Sequence, residues 1–281
     1  MAISFGPGGK PDSYGNRKFP QELPQYLAEF GLNAFEIECG RGINISEQAY
    51  GFFSGEHCSP LQISLHAPYY ISLSSPDEEI RNKSVGYILQ SAQAAKKAGA
   101  RKIVVHSGSC AKMTREEALA LAKQTLIKAR KTLVEAGLSD IIICPETMGK
   151  INQLGTLEEV IELCKVDDSF LPCVDFGHLN ARTHGGIKTL QDYAKIFDIL
   201  EDKLSFERVK NLHIHFSKIQ YTDGGEKAHL TFEDTQYGPD FEPLMEVIHE
   251  RGYEPVIICE SKGTQAEDAK KMREYYENLC N

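Results

Sequence analysis

The sequence predicts an α/β protein that forms a single (β/α)8 barrel, the TIM-barrel architecture, as one domain over residues 1–281. Eight short β-prone runs alternate with eight segments of helical periodicity, which is typical of βα units around a parallel sheet. Most of the runs are nearly continuous in apolar residues, as expected for strands covered on both faces. The 281 residues are close to the roughly 250 of a typical eight-unit barrel, and no low-complexity segment interrupts them.

The predicted strands share a short length and a high content of Ile, Val, Leu and Phe, the composition of buried strands. Turn-forming residues or helical segments separate each of them from the next. The strands are expected at 2–5, 33–37, 61–66, 101–106, 140–145, 171–175, 209–214 and 254–259.

The segments between the strands carry apolar residues at helical spacing and have recognisable start and stop signals. Thr114 followed by Glu117 is a capping-box start, and Ser46 can cap a short helix. Glycine stands after four segments, at positions 31, 99, 137 and 252, where its left-handed backbone commonly terminates a helix. The helices are expected at 23–30, 46–53, 76–98, 114–136, 156–164, 190–200, 241–250 and 265–279.

Composition narrows the class of protein. A net charge of −9 argues against a broad nucleic-acid footprint, although carboxylates that bind divalent cations contribute to this count. The eight scattered cysteines form no C-x-x-C pair, which favours reduced thiols and a cytoplasmic protein. No apolar run approaches the roughly 18–20 residues of a membrane span, and we see no secretory signal. The helices show no strong apolar exterior stripe, so we expect a monomer with no membrane partner.

Six of the predicted strands end in, or are directly followed by, a histidine or a carboxylate, and this is the main functional signal. In a barrel the C-terminal ends of the strands converge on the face that carries the active site. Two further histidines lie in the segments that follow these strands. The candidate residues are His66, His106, Glu146, Asp175, His178, His213, His229 and Glu260.

This combination of side chains predicts a metal centre. Imidazoles and carboxylates together bind Zn²⁺, Mn²⁺ or Fe²⁺. Eight candidates exceed the three protein ligands of an ordinary catalytic zinc, so we expect two or three ions, with Glu146 shared, and clustered metals suit phosphoester hydrolysis. One histidine at a strand end is more often a hydrogen-bonded structural residue, but six such positions favour ligands. His215 faces the same side of its strand as His213, and it could be either a metal ligand or a residue that supports a ligand. We interpret His184 as a structural residue.

The same residues resemble motifs of the endonuclease IV family, DNA repair enzymes of the wider xylose isomerase-like TIM-barrel superfamily. The ordered set is more specific than any single short motif. The segments that carry the resemblance are Leu65–Tyr69 (LHAPY), Val105–Ser109 (VHSGS), Pro145–Gly149 (PETMG), Cys173–His178 (CVDFGH), His213–Lys218 (HIHFSK) and Ile258–Glu260 (ICE).

The resemblance implies three zinc ions and a phosphoric diester hydrolase that cleaves double-stranded DNA on the 5′ side of abasic sites, a step of base excision repair. It also implies two catalytic carboxylates, Glu260 and Glu146, with Glu260 orienting or deprotonating the attacking hydroxide, and a DNA-contacting tyrosine at Tyr69. The implied ligands are His66, His106 and Glu146 for the first ion, Glu146, Asp175, His213 and Glu260 for the second, and His178 and His229 for the third.

Three segments depart from the family pattern. Lys227 stands where the third ion normally has a carboxylate, and Glu226 or Asp223 could substitute for it. The loop at 40–44 lacks the stretch that penetrates DNA, and the loop after the first strand lacks its family pattern. The metal centre is therefore better supported than the lesion-reading surface.

Two other functions remain open. A metal-dependent sugar or sugar-phosphate isomerase or epimerase of the same superfamily could use one Mn²⁺, but would not need all eight candidate ligands. A non-catalytic lesion-binding protein would need a degenerate metal site, which the retained first and second ligand sets disfavour. The number of ions bound per chain discriminates among the three.

Overall fold

A computed structural model describes residues 3–280. The strands are β1 Ser4–Pro7, β2 Ala34–Glu38, β3 Gln62–His66, β4 Lys102–Val105, β5 Ile142–Pro145, β6 Cys173–Asp175, β7 His213–Phe216, β8 Ile219–Thr222, β9 Gly225–His229 and β10 Val256–Cys259. The helices are α1 Leu23–Glu29, α2 Glu47–Phe53, α3 Glu78–Lys97, α4 Arg115–Glu135, α5 Leu157–Cys164, α6 Phe176–Arg182, α7 Leu190–Lys203, α8 Phe206–Lys210, α9 Glu242–Arg251 and α10 Gln265–Leu279.

The chain divides into two compact units. The first, here called the terminal unit, contains the described residues up to Glu36 and from Val174 onward. The second, the central unit, is Ile37–Cys173. A single domain over 1–281 stays a prediction.

A four-stranded sheet with the order β1-β10-β7-β6 organises the terminal unit. Its pairs β1–β10 and β10–β7 are parallel, with Ser4 opposite Val256 and Val256 opposite His213. Helix α10 packs on β1, β10 and α9. A separate antiparallel hairpin, β8–β9, follows β7.

A second four-stranded sheet has the order β2-β3-β4-β5, and its strands β3, β4 and β5 lie in the central unit. Its pairs β3–β4 and β4–β5 are parallel, and α3 packs against α4. Val104, Cys144 and Cys173 are fully buried in one apolar cluster of this unit. The small side chains there are consistent with strands covered by helices.

Strand 1 lies two residues later than the predicted 2–5, and Ala2 is outside the described residues. Gly6 and Pro7 continue the pairing with β10 as far as Cys259. Glycine is required at this point, because a Cβ on Gly6 would lie 1.8 Å from the carbonyl oxygen of Ala34.

Strand 7 was also predicted too early, at 209–214. Phe206–Lys210 is a short helix in which Val209 is the buried residue, and the strand begins at His213. All four strand residues, two of them histidines, are buried. Apolar content alone therefore misplaces this strand, because histidines occupy core-facing positions.

The structure confirms the predicted helix start at Thr114 and the predicted helix stop at Gly252. Thr114 accepts a hydrogen bond from the backbone of Glu117 and the reciprocal bond completes the capping box of α4. Gly252 ends α9 in the left-handed conformation. Helices α6 and α8 and the β8–β9 hairpin were not predicted, because they are short or interrupt a long loop.

All eight cysteines lie among the described residues, and all are free thiols, of which Cys280 alone is exposed. Burial raises the pKa of Cys39 and of Cys259 to about 12, so these thiols stay protonated and unreactive. No helix within residues 3–280 has both the length and the apolar composition that crossing a bilayer requires.

We therefore expect a thiol-reactive chromophore to label one cysteine in the native protein and eight after unfolding in denaturant. A Cys280→Ser variant should show essentially no fast native labelling and should keep the wild-type unfolding curve. Fast reaction of two or more thiols in the native wild-type protein would contradict the burial of the other seven.

Candidate metal centres

The first group of candidate ligands, here called the central triad, lies in the central unit and consists of His66, His106 and Glu146. His66 is the last residue of β3, His106 directly follows β4, and Glu146 directly follows β5. Glu146 Oε2 lies 3.4 Å from His66 Nε2 and 2.9 Å from His106 Nε2. The three side chains are at most 14% exposed, so one carboxylate oxygen faces two imidazole nitrogens in a mostly dry environment.

The hydrogen bonding of His66 shows that this arrangement suits a cation. Its Nδ1 lies 2.8 Å from the carbonyl oxygen of Ala67, and because a carbonyl oxygen can only accept, Nδ1 carries the proton. In the neutral ring the remaining lone pair is on Nε2, which faces the carboxylate oxygen of Glu146. Two electron-pair donors at this distance repel each other unless a cation is shared between them, so the donor set fits a divalent metal ion.

Tyr69 covers the solvent side of the central triad. Its ring stacks on His106 at 5.2 Å and meets the edge of His66 at 5.0 Å, and its hydroxyl donates to Glu38. The side chain is 53% exposed, so one face is available to a ligand. A Cβ on Gly40 would lie 2.1 Å from this ring, which explains a glycine in the loop that follows β2.

The second group, here called the buried cluster, lies in the terminal unit and consists of Glu36, His213, His215 and Glu260. Glu36 Oε2 is 2.8 Å from His213 Nε2, and Glu36 Oε1 is 2.9 Å from His215 Nε2. His215 Nδ1 in turn lies 3.3 Å from Glu260 Oε1. The resemblance assigned a ligand role to His213, but His215 is the ring that contacts Glu260.

Glu36 was not among the predicted site residues. The available signal was a lone carboxylate between Phe35 and Ile37 in an otherwise apolar strand, because glutamate is almost never fully buried unless it is paired. Burial by itself raises the pKa of Glu36, but the attraction of His215 and His213 and their hydrogen bonds hold the pKa well below its usual range. Glu36 is therefore an ionised carboxylate inside the core.

Asp175 is the last residue of β6 and the N-cap of α6. Its Oδ1 accepts a hydrogen bond from the backbone nitrogen of His178 at 2.7 Å, and its Oδ2 lies 3.3 Å from His178 Nδ1. The strand thus passes directly into a helix, and the cap holds the aspartate and the histidine side by side.

The third group, here called the hairpin group, consists of His178, Glu226 and His229 in the terminal unit. His178 Nε2 lies 3.4 Å from Glu226 Oε2, and His229 Nε2 lies 4.0 Å from Glu226 Oε1. One nitrogen or oxygen from each residue lies within 4.8 Å of the others. Ser217 Oγ lies 2.9 Å from His229 Nδ1 and holds that ring from behind. The carboxylate of this group comes from Glu226, one of the two substitutes considered for Lys227.

A β-bulge in the hairpin explains why Glu226 takes this place. Gln220 pairs with Ala228, whereas the next residue, Tyr221, pairs with Glu226. Lys227 is therefore the extra residue, and its side chain is exposed. In a regular strand, residues two apart share a face, but the inserted residue brings Glu226 and the histidine three residues later onto one side, as bulges beside functional sites often do.

Comparisons with known proteins agree with this architecture. A protein-family model described as a xylose isomerase-like TIM barrel matches residues 24–279. An uncharacterized protein of Methanocaldococcus jannaschii is 30% identical over 277 residues, covering 99% of this chain and 98% of that protein. A probable endonuclease 4 of Mycoplasma genitalium is 30% identical over 208 residues, covering 71% of this chain and 67% of that protein.

A solved structure of a D-tagatose 3-epimerase-like protein superposes with a TM-score of 0.72 at 21% identity, covering 99% of this chain and 98% of that chain. At this identity the likeness shows the fold alone. The family match and the parallel sheets together confirm the predicted fold class, an α/β TIM barrel.

Proposed function

The chain belongs to the xylose isomerase-like TIM-barrel family, and we propose that it is a metal-dependent phosphodiesterase that cleaves duplex DNA on the 5′ side of abasic sites. The superfamily includes both endonuclease IV enzymes and sugar epimerases, so the family by itself leaves the substrate open. The proposal includes two or three zinc ions, or Mn²⁺ or Fe²⁺ in their place, and a cytoplasmic monomer.

The observation that carries the proposal is the number of separate ligand groups. The central triad and the hairpin group each combine two histidines with one carboxylate, and the buried cluster adds a histidine beside Glu260. A single catalytic ion normally takes three protein ligands, so these groups exceed what a one-metal isomerase requires. His66, His106, Glu146, Asp175 and Glu260 lie at or directly after the C-terminal ends of strands, where TIM-barrel enzymes carry their active sites.

Clustered divalent ions, when bound, supply hydroxide at neutral pH and stabilise the charge that develops on a phosphoryl group. We propose that the central triad holds one ion, that Asp175, Glu260 and a histidine of β7 hold a second, and that the hairpin group holds a third. Glu260, 15% exposed, is the carboxylate that we propose accepts a proton from the attacking water. Glu146 is the second catalytic carboxylate.

Tyr69 is proposed to contact DNA. Its exposed ring beside the central triad offers a flat aromatic surface on which a base or deoxyribose can stack. Glu38, which accepts the hydroxyl hydrogen bond, keeps the ring from rotating away.

A gel assay tests the proposed function. The substrate is a duplex oligonucleotide with one abasic-site analogue, and the protein is assayed with zinc or manganese and again after chelation. We expect metal-dependent incision on the 5′ side, and its loss in a Glu260→Gln variant. A fully metal-loaded wild-type protein that leaves the duplex intact would contradict the nuclease, and sugar phosphates would be tested next.

Replacing Tyr69 with alanine should weaken binding of the abasic duplex by about 1–3 kcal/mol, the usual value for one stacked base, without changing the metal content. Tyr70→Ala is the matched control, because Tyr70 is also half exposed but packs on Tyr87 rather than on His106. Fluorescence anisotropy with labelled duplex measures both. Equal losses in the two variants would argue against a specific role of Tyr69.

A further inference from the structure

Three aromatic rings lie side by side in the terminal unit, and none of them belongs to the three ligand groups. The ring centroid of Tyr221, in β8, is 6.0 Å from that of His184 and 5.1 Å from that of Tyr237. His184 is exposed and both tyrosines are partly exposed. Tyr221 pairs with Glu226 across the hairpin, and directly paired residues lie on one face of a sheet. The three rings, here called the aromatic ledge, therefore lie beside the hairpin group.

His184 has a backbone conformation that disfavours a side chain. Its φ is 53°, in the left-handed region. Its N–H donates to the carbonyl of Ala181 at 3.1 Å, and the N–H of Gly185 donates to the carbonyl of Asn180 at 2.8 Å. These are the two bonds of a Schellman motif, in which glycine usually takes the place of His184 because a side chain is strained there. The imidazole is thus present at a cost to stability, which favours a role in contacting a ligand.

A hydroxyl and an ammonium group lie next to the ledge. A Cβ on Gly185 would lie 2.4 Å from the hydroxyl oxygen of Tyr221 and 4.0 Å from Lys188 Cε, so both side chains pass the same point. Within residues 3–280 the Tyr221 hydroxyl has no hydrogen-bond partner and the Lys188 ammonium has no carboxylate partner. Such groups bind the oxygens of a phosphate. Flat rings beside a phosphate-binding pair suit a nucleotide better than a sugar phosphate, which has no base to stack.

We propose that the aromatic ledge binds one nucleotide of the DNA, with the base stacked on Tyr221 and His184 and a phosphate held by Lys188 and the Tyr221 hydroxyl. The proposal rests on the proposed function only in that the bound polymer is DNA. It adds a stacking contact in the terminal unit to the one proposed for Tyr69. It also assigns a ligand contact to His184, which the sequence pattern indicated to be structural.

Photo-cross-linking to the wild-type protein tests the contact directly. The probe is a duplex with one abasic-site analogue and, on its 5′ side, a methylphosphonate linkage that resists incision. A single 5-iodouracil, which couples on irradiation to stacked aromatic side chains, is placed in turn at each neighbouring position of both strands. Mass spectrometry of the digested protein locates the product. We expect coupling to Tyr221, Tyr237 or His184 from at least one position, and coupling to none of them from any position would overturn the proposal.

Fluorescence anisotropy with the same duplex, without iodouracil, tests the ring and the ammonium group separately. Tyr221→Ala should weaken binding about 5- to 150-fold, the range for one stacked base, whereas Tyr221→Phe keeps the ring and should lose less. Lys188→Gln should reduce the slope of log affinity against log salt by about 1. The matched control is Lys195→Gln, an exposed lysine of the next helix, α7, which should keep the wild-type slope. Equal slopes in the two lysine variants would overturn the phosphate contact.

His184→Asn separates a ligand contact from a structural role. Asparagine also tolerates the left-handed backbone, so we expect the wild-type unfolding temperature together with binding weakened several-fold. Wild-type binding in this variant would overturn the contact with His184. The gel assay measures cleavage, whereas these experiments measure contact with an uncleaved duplex. Binding through the ledge without incision would contradict the nuclease alone, and incision without coupling to the ledge would contradict the ledge alone.

Discussion

Glu146→Gln should lower the rate of metal-dependent cleavage on the order of 10²–10³-fold, the range for removing one preorganised electrostatic contact in an active site. Glu146 Oε2 faces the Nε2 atoms of both His66 and His106. An uncharged amide cannot compensate a divalent cation there, so the central triad should lose its ion. Metal analysis of the purified variant and single-turnover cleavage kinetics measure the two effects.

Glu159→Gln is the control for this substitution. Glu159 is a buried carboxylate of the same unit, but it pairs with Arg115 and caps α5. Its loss should lower thermal stability and leave the bound metal unchanged. A Glu146→Gln protein with the full complement of metal and the wild-type rate would remove the central triad from the mechanism.

Glu226→Gln should remove one ion from the protein, whereas Lys227→Gln should remove none. The bulge in β9 turns Glu226 toward His178 and His229 and leaves Lys227 exposed. The loss of zinc affinity in Glu226→Gln should exceed the roughly 10- to 100-fold loss that is typical when a residue that only supports a ligand is replaced. Equilibrium dialysis with zinc, followed by elemental analysis, counts the ions in each variant.

A double variant tests the bulge itself. Adding Lys227→Asp to Glu226→Gln recreates the aspartate and histidine two residues apart that the endonuclease IV family pattern contains. If the bulge persists, the new aspartate points to solvent and the lost ion does not return. Recovery of the ion in the double variant would mean that β9 can adopt the regular register, and the bulge would then not determine the ligand.

Much of the site follows from local patterns. His66, His106, Glu146 and Glu260 stand at or just after the ends of strands, and strand ends can be read from where an apolar run stops. The sequence could not decide whether Glu226 or Asp223 supplies the carboxylate beside His229. The choice depends on a bulge, and a bulge depends on pairing with another strand rather than on the strand's own sequence. Strand 7 was misplaced for a related reason, since its buried histidines interrupt the apolar pattern.

The sequence by itself determined the fold class, most of the strands and helices, and the two histidines and one carboxylate of the central triad, because these depend on hydrophobic periodicity and on residues at strand ends. Only the tertiary structure decided that Glu36 contacts His213 across 177 residues of sequence, that His215 rather than His213 faces Glu260, and that Glu226 lies beside His178 and His229. Those outcomes depend on strand register and on contacts between residues that are distant in sequence. The partner of a carboxylate in an apolar strand is fixed only when the strands pack together, so the sequence alone does not identify it.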